Sequence, residues 1–172
     1  GVTSRELFEY REELKQGHEK DFLTVGGMGH ANQIALGIAL QKPNRSVFCL
    51  DGDGAALMHM GSMAINGNIK CDNFKHIIFN NGAHDSVGGQ PTVGYTTNFQ
   101  SIANASGYDL VLQAKTIDEV VKCIEDLKVF KGKVFLEIKV KKGFRKDLGR
   151  PTTTPKENKQ NLMEFIKENY YV

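Results

Sequence analysis

The chain has 172 residues, 40% hydrophobic and 24% charged, an ordinary globular composition that excludes a fully disordered chain. Lys plus Arg is 22 and Asp plus Glu is 20, so a net charge of +2 gives no general case for a nucleic-acid or membrane-surface partner. The length suits one domain, taken here as residues 1–172.

In chain order, Thr3-Ser4-Arg5-Glu6 reads as a capping box opening a charged helix to about Gln16, ended by Gly17. The apolar run Phe22–Val25, closed by Gly26-Gly27, is predicted as a strand. Ala31–Leu40 is rich in small and apolar residues and predicts a buried helix, stopped before Pro43. Ser46–Leu50 is a strand that is apolar throughout, as in a parallel sheet covered on both faces. It runs into Asp51-Gly52-Asp53-Gly54, and Ala55 to about Asn66 predicts one helix.

His76–Phe79 is a further strand, closed by Asn80-Asn81-Gly82. The glycine-rich stretch from Gly82 to about Asn98 exceeds the roughly 4–6 residues of an ordinary connection and reads as a functional loop. Asn98 caps a short helix over Phe99–Ser106, and Asp109–Gln113 is a strand. Thr116-Ile117-Asp118-Glu119 is a second capping box, for a helix to about Lys128, and Val134–Val140 alternates as a strand does. A basic loop, residues 141–155, precedes a last helix that opens on Thr154-Pro155-Lys156-Glu157 and runs to about Asn169.

Alternating strands and helices predict an α/β fold: a parallel sheet flanked by helices on both faces. Ligands then sit beyond the carboxyl ends of the strands. Three polar turns are expected to converge there: Gly26–His30, Asp51–Gly54 and Asn80–Asp85. Cys49, Cys71 and Cys123 form no CxxC pair, which argues against a disulfide framework or zinc site and for a reducing cytoplasm. Cys49 reads as a small buried residue. No apolar stretch reaches the roughly 18 residues of a membrane helix, and the first residues carry no signal-peptide pattern.

Gly52-Asp53-Gly54 follows a strand and opens a helix. The glycines let backbone lie against a phosphate, and the helix start supplies amides. An aspartate beside that anion calls for a cation between them, so the motif reads as a Mg²⁺-bridged phosphate site. Asn80-Asn81, beyond residues 55–79, adds a hard neutral oxygen ligand at another strand end. A calcium loop starting at Asp51 would need an acidic residue where Ser62 stands, so Asp51 reads as a turn residue.

The GDG motif, about 25 residues, then NN resembles the signature of thiamine-diphosphate-dependent enzymes. Carried over by position, Asp53, Asn81 and the main-chain oxygen of Ala83 would be the Mg²⁺ ligands. Gly52, Gly54 and Ala55 would lie against the diphosphate. Gly26-Gly27-Met28-Gly29 resembles the turn that meets the pyrimidine ring, with Met28 wedged beneath the cofactor. The strings GGMGHANQIALGIAL, LDGDGAALMHMGSMA, NNGAHDSVGGQPT and DLGRPTTTP are similar to the decarboxylase group that acts on phosphonopyruvate and sulfopyruvate. That resemblance covers nearly the whole chain.

The resemblance implies a thiamine-diphosphate-binding domain of a 2-oxo-acid decarboxylase that uses Mg²⁺. His84 and Asp85 are the candidates for moving a proton, or for meeting the substrate carboxylate. Ser86, Gln90 and Arg150 are candidates for the anionic end of the substrate. Lys141, Lys142, Arg145 and Lys146 read as a solvated charge run. His30 reads as structural, and His18, His59 and His76 as residues without a role.

These enzymes activate their cofactor through a glutamate on a separate pyrimidine-binding domain, and no glutamate here stands in a suitable position. Glu137 lies mid-strand, and the others lie in exposed helical patterns. The chain is therefore expected to be the C-terminal half of a longer decarboxylase, or a separate subunit, inactive alone. It should partner a pyrimidine-binding domain or subunit, form a homo-oligomer and take a small anionic 2-oxo acid. A Rossmann-type nucleotide-binding module is the alternative, but Gly27, Gly29 and Ala31 break the GxGxxG spacing.

Overall fold

The computed structural model of the chain describes residues 1–168. They fall into two compact units, Gly29–Gly143 and a smaller one made of Gly1–Met28 with the residues from Phe144 on.

The larger unit is built on four parallel strands. Strand β1 is Val47–Gly52, β2 is Phe74–Asn80, β5 is Leu110–Ala114 and β6 is Val134–Lys139. Their order across the sheet is β1-β2-β6-β5. Between β2 and β5 lies a small antiparallel hairpin, β3 (Ala83–His84) and β4 (Gln90–Pro91). Helices α2 (Ala31–Gln41), α3 (Asp53–Met58), α4 (Gly61–Asn68), α5 (Phe99–Ser106) and α6 (Ile117–Val129) complete the unit.

Pleating sends alternate side chains to opposite faces, and both faces are covered. Phe74, Ile78 and Phe135 pack with Leu36, Ala39, Met63 and Phe99 from α2, α4 and α5. Ile77, Val134, Leu136 and Ile138 pack with Cys123 and Leu127 of α6. Double coverage explains why Val134–Ile138 is buried throughout rather than half-exposed. Helices on both faces of a parallel sheet agree with the expected α/β class.

Local capping chemistry places several helices as expected. Asn98 Oδ1 accepts from Ser101 N at 2.9 Å. Thr116 and Glu119 form the full reciprocal box. In the smaller unit Thr154 and Glu157 do likewise, opening α7 (Pro155–Glu168); its expected end at Asn169 lies outside the described residues.

Other expectations are corrected. Helix α1 spans Val2–Glu13, so Thr3 lies inside its first turn and makes no cap. The helix is closed not at Gly17 but near Lys15, which takes the left-handed φ of 52°. Phe22–Val25 joins no sheet. Its backbone is held by a side chain instead: Leu23 N donates to Asn158 Oδ1 at 2.8 Å, and Asn158 Nδ2 donates to the carbonyl of Asp21 at 2.9 Å. The expected single helix from Ala55 to Asn66 is two, α3 and α4, and α3 starts earlier, on Asp53. His59 leaves helical geometry at the break, and glycine at 61 weakens any helix run through it. The stretch expected as loop contains the β3–β4 hairpin, whose turn places Gly88 and Gly89 at φ of 118° and 75°.

Candidate functional site

Strands β1 and β2 pair in parallel with Gly52 opposite Phe79, so their carboxyl ends lie side by side. Beyond them Asp53 and Asn81 meet: Asn81 N lies 3.4 Å from Asp53 Oδ1. Two of the three expected turns thus converge. The third is divided, because Gly26, Gly27 and Met28 belong to the smaller unit.

Asp53 is 1% exposed. Its carboxylate accepts from Asn81 N and from the Thr92 hydroxyl, and no cationic side chain among the described residues pairs with it. A buried carboxylate without a counter-charge costs several kcal/mol, about 3–5 when a partner is removed from a buried pair. That cost is relieved when a hard cation occupies the site. The other two expected ligands, the carboxamide oxygen of Asn81 and the carbonyl of Ala83, are both hard oxygens. Asp53, Asn81 and Ala83 therefore fit Mg²⁺ by charge and donor type.

The two asparagines are held differently. Asn81 Nδ2 donates to Asp85 Oδ2 at 2.6 Å, and Asn81 Oδ1 accepts from Ala83 N at 3.0 Å. Asp85 also accepts from Gly143 N at 2.7 Å, so this carboxylate ties the hairpin to the end of the sheet. Asn80, wholly buried, gives its amide hydrogens to Gly94 O at 2.7 Å and Glu137 Oε1 at 2.6 Å. Its Oδ1 accepts from Gly82 N at 3.1 Å, completing the turn.

The two glycines of GDG differ in their surroundings. Gly52 has ordinary extended dihedrals, φ −111° and ψ 157°, so it is not needed for a tight turn. Nothing lies within 4 Å of where its Cβ would stand, which leaves open space against the backbone. At Gly54 a Cβ would collide with the His84 ring, so this glycine is required by the protein's own packing. His84 is thereby seated over the start of α3. Ser86 and Gln90 are exposed on the hairpin, and Ala55 is half-buried in α3.

In the smaller unit, Gly26 has φ 80°, and both Gly26 and Gly27 have open space around a built Cβ. Arg150 is exposed there, whereas Arg145 pairs with Glu6, Glu9 and Asp147. Arg5 donates to the carbonyls of Leu148 and Gly149, the latter at 2.5 Å, ordering the chain just before Arg150.

Two features went unread in the sequence. One is Glu137 behind Asn80. The other is a buried polar chain beneath the GDG turn. His76 bridges Tyr108 OH, 3.0 Å from Nδ1, and Asp51 Oδ2, 3.4 Å from Nε2, and Asn66 Nδ2 donates to Tyr108 OH at 3.2 Å. Burial holds the Tyr108 hydroxyl well above the usual tyrosine range and pushes the Cys49 thiol up as well, with Asp51 adding to it. Cys49, Asp51 and His76 cluster within 4.8 Å, but both His76 nitrogens are already engaged, so the group reads as a satisfied core network. Its members cluster because Cys49 and Asp51 share one face of β1 and His76 is opposite Cys49 on β2.

A cavity of about 250 Å³ adjoins His30, Gln33, His59 and Ser62. A larger one, about 480 Å³, opens at the amino ends of the strands by Leu110 and Phe130, away from the groups above. No helix among the described residues is long and apolar enough to cross a membrane.

Residues 3–138 match the family of the thiamine pyrophosphate enzyme, C-terminal TPP binding domain. The chain is 34% identical, over 98% of its length, to a phosphonopyruvate decarboxylase of Streptomyces hygroscopicus, and spans 40% of that protein. It is 36% identical to the sulfopyruvate decarboxylase subunit beta of Methanocaldococcus jannaschii, over 64% of this chain and 56% of that one. In structure it is similar to a 2-oxoglutarate:ferredoxin oxidoreductase from Magnetococcus marinus, with a TM-score of 0.56 and 16% identity, covering 75% of this chain and 56% of that one. That likeness bears on the fold alone. The chain spans well under half the length of the phosphonopyruvate decarboxylases it matches. With the family match covering most of its residues and the GDG and NN turns meeting at the strand ends, the chain belongs to the thiamine pyrophosphate enzymes, in their C-terminal TPP-binding domain.

Proposed function

We propose that this chain is the cofactor- and metal-binding half of a cytoplasmic decarboxylase that converts 3-phosphonopyruvate to phosphonoacetaldehyde and carbon dioxide without oxidation. The observation that carries the reading is the buried Asp53 carboxylate, beside Asn81 and without a cationic partner among the described residues. Asp53, Asn81 and the Ala83 carbonyl would hold Mg²⁺ against the diphosphate, with the backbone of Gly52, Gly54 and Ala55 alongside. Gly26, Gly27 and Met28 would meet the pyrimidine. Thiamine diphosphate, when bound, supplies the electron sink that loss of carbon dioxide from a 2-oxo acid requires.

The remaining residues serve the substrate. His84 stands at the start of α3 and is proposed to carry the proton delivered to the carbon that carbon dioxide leaves. Asp85 is engaged with Asn81 and Gly143, so in this reading it orients the metal ligand rather than exchanging protons freely. Ser86 and Gln90, exposed on the hairpin, are proposed to bind the dianionic phosphonate, and Arg150 is proposed on its own ground, because a guanidinium is well shaped for such a group. In the complete enzyme Arg150→Ala should raise KM for phosphonopyruvate at least ~10-fold with a smaller change in kcat. An unchanged KM removes Arg150 from the site.

The pyrimidine-binding half, on the same polypeptide or a separate subunit, would supply the activating glutamate. The cofactor would lie between halves, so the enzyme would be at least a dimer. Unpaired, buried cysteines fit a reducing compartment.

Similarity to sulfopyruvate decarboxylase beta subunits supports a second reading, with a sulfonate in place of the phosphonate. It extends over 64% to 83% of the chain at 28% to 36% identity, against 96% to 98% at 33% to 34% for the phosphonopyruvate relatives, and that fuller coverage favours the phosphonate. The test is turnover of both oxo acids by the complete enzyme with Mg²⁺ and thiamine diphosphate. Preference for phosphonopyruvate in kcat/KM is expected; preference for sulfopyruvate overturns the assignment. The isolated chain should be inactive with either acid, and turnover by it alone would overturn the two-part account.

A further inference from the structure

We propose that Glu137 is a positioning residue for the metal site, acting through Asn80 on both Asn81 and the wall that faces Asp53. The proposal rests on the metal reading of Asp53 and Asn81.

Glu137 lies inside β6 with no exposed surface. Its neighbours Phe135, Leu136 and Ile138 are apolar core. An apolar residue would pack this position with less desolvation, so packing alone does not account for a carboxylate. The carboxylate has four donors drawn from four elements. Lys139 Nζ is 2.5 Å from Oε1, Asn80 Nδ2 of β2 is 2.6 Å away, and Gln113 Nε2 of β5 is 2.8 Å from Oε2. Gln100 of α5 donates to Oε2 as well. Parallel register sets this up: Gln113 and Ile78 are opposite Glu137, and Asn80 is opposite Lys139. Burial pushes the Glu137 carboxyl up, but the bonds from Lys139, Gln113, Asn80 and Gln100 outweigh it and hold the group below its usual range. The carboxylate is thus kept charged in the core.

That fixed charge settles which way the Asn80 amide points. With both hydrogens committed to Glu137 and Gly94, Oδ1 must face Gly82 N, which closes the turn around Asn81. The same amide pins the Gly94 carbonyl. Gly94 stands so close to the site that a Cβ there would collide with Asp53 Oδ2 and come within 2.7 Å of Asn80 Oδ1. Gly94 N in turn donates to Thr92 Oγ1 at 3.0 Å, and that hydroxyl donates to Asp53. Glu137 therefore reaches Asn81 by one route and Asp53 by the other without touching either.

The experiment is Mn²⁺ binding to the complete enzyme with thiamine diphosphate, read from the free-ion electron paramagnetic resonance signal. The variants are Glu137→Gln, Asn80→Ala, their double, and Asp53→Asn, with folding checked by circular dichroism. Groups that orient metal ligands typically contribute about 10–100-fold in affinity, and a loss in that range is expected for each single variant. Because both act through one bond, the double should be no weaker than the weaker single. Wild-type affinity in a folded Glu137→Gln, or losses that multiply in the double, overturns the proposal. If Glu137→Gln does not fold, Asn80→Ala decides alone, since it leaves Glu137 its other three donors; wild-type affinity there overturns the proposal. Wild-type binding by Asp53→Asn would instead refute the metal reading itself. Loss in Asp53→Asn with none in the other variants would refute only the role of Glu137.

Discussion

Asp53→Asn is expected to abolish metal-dependent cofactor binding while leaving the protein without ligands at least as stable as wild type. The side chain is 1% exposed, and its carboxylate faces a hydroxyl and an amide but no cation among the described residues. Removing the charge relieves the desolvation cost of a buried carboxylate that has no counter-charge. The amide keeps the shape and can still accept from Thr92. Ligands that bind only the folded state raise the melting temperature by mass action. Adding Mg²⁺ and thiamine diphosphate to the complete enzyme should therefore raise Tm for wild type and not for Asp53→Asn. An equal rise in both proteins would show that Asp53 does not hold the metal.

Gly94→Ala is expected to damage both fold and site. The added methyl would collide with Asp53 Oδ2 and press on Asn80 Oδ1. Neither neighbour can yield easily: Asp53 is held by Thr92 and Asn81, and Asn80 by Glu137, Gly82 and Gly94 itself. Overpacking of this kind costs about 1–3 kcal/mol, which urea denaturation of the complete enzyme would read as a lower midpoint at unchanged slope. Metal affinity should fall at least ~10-fold at the same time, because the carboxylate must turn away from Asn81. Wild-type midpoint and wild-type affinity together would show that the wall is softer than its bonding suggests.

What could be read from the residues alone was whatever is settled within a few positions. Asn98, Thr116 and Thr154 cap helices because a short side chain reaches an amide three residues on. The strand at 74–80 is buried along its length because both sheet faces are covered, whereas edge strand β1 shows as an apolar run although its Phe48 is exposed, a departure from the double coverage expected there. The GDG and NN turns were legible because each follows such a run. Distant partners decided the rest. Phe22–Val25 has the composition of a strand, but the Asn158 side chain bonds Leu23 N and the carbonyl of Asp21 just before the run. Glu137 sits in VFLEIK, where alternation puts a glutamate on a wet face; only pairing with β2 and β5 brings Asn80 and Gln113 to it. Gly94 and Thr92 belong to no motif, and their bearing on Asp53 follows from the return of the hairpin over the strand ends. The break at His59 leaves no local signal because Met58, Met60 and Met63 suit a continuous helix by propensity.

The claim on which the rest depends is that Asp53, Asn81 and Ala83 hold a divalent ion that in turn holds the diphosphate. Calorimetric titration of the complete enzyme with thiamine diphosphate, once with saturating Mg²⁺ and once in excess chelator, tests it most directly. The expected result is saturable binding with the metal and loss of that binding without it. Equal affinity in the two titrations would contradict the claim.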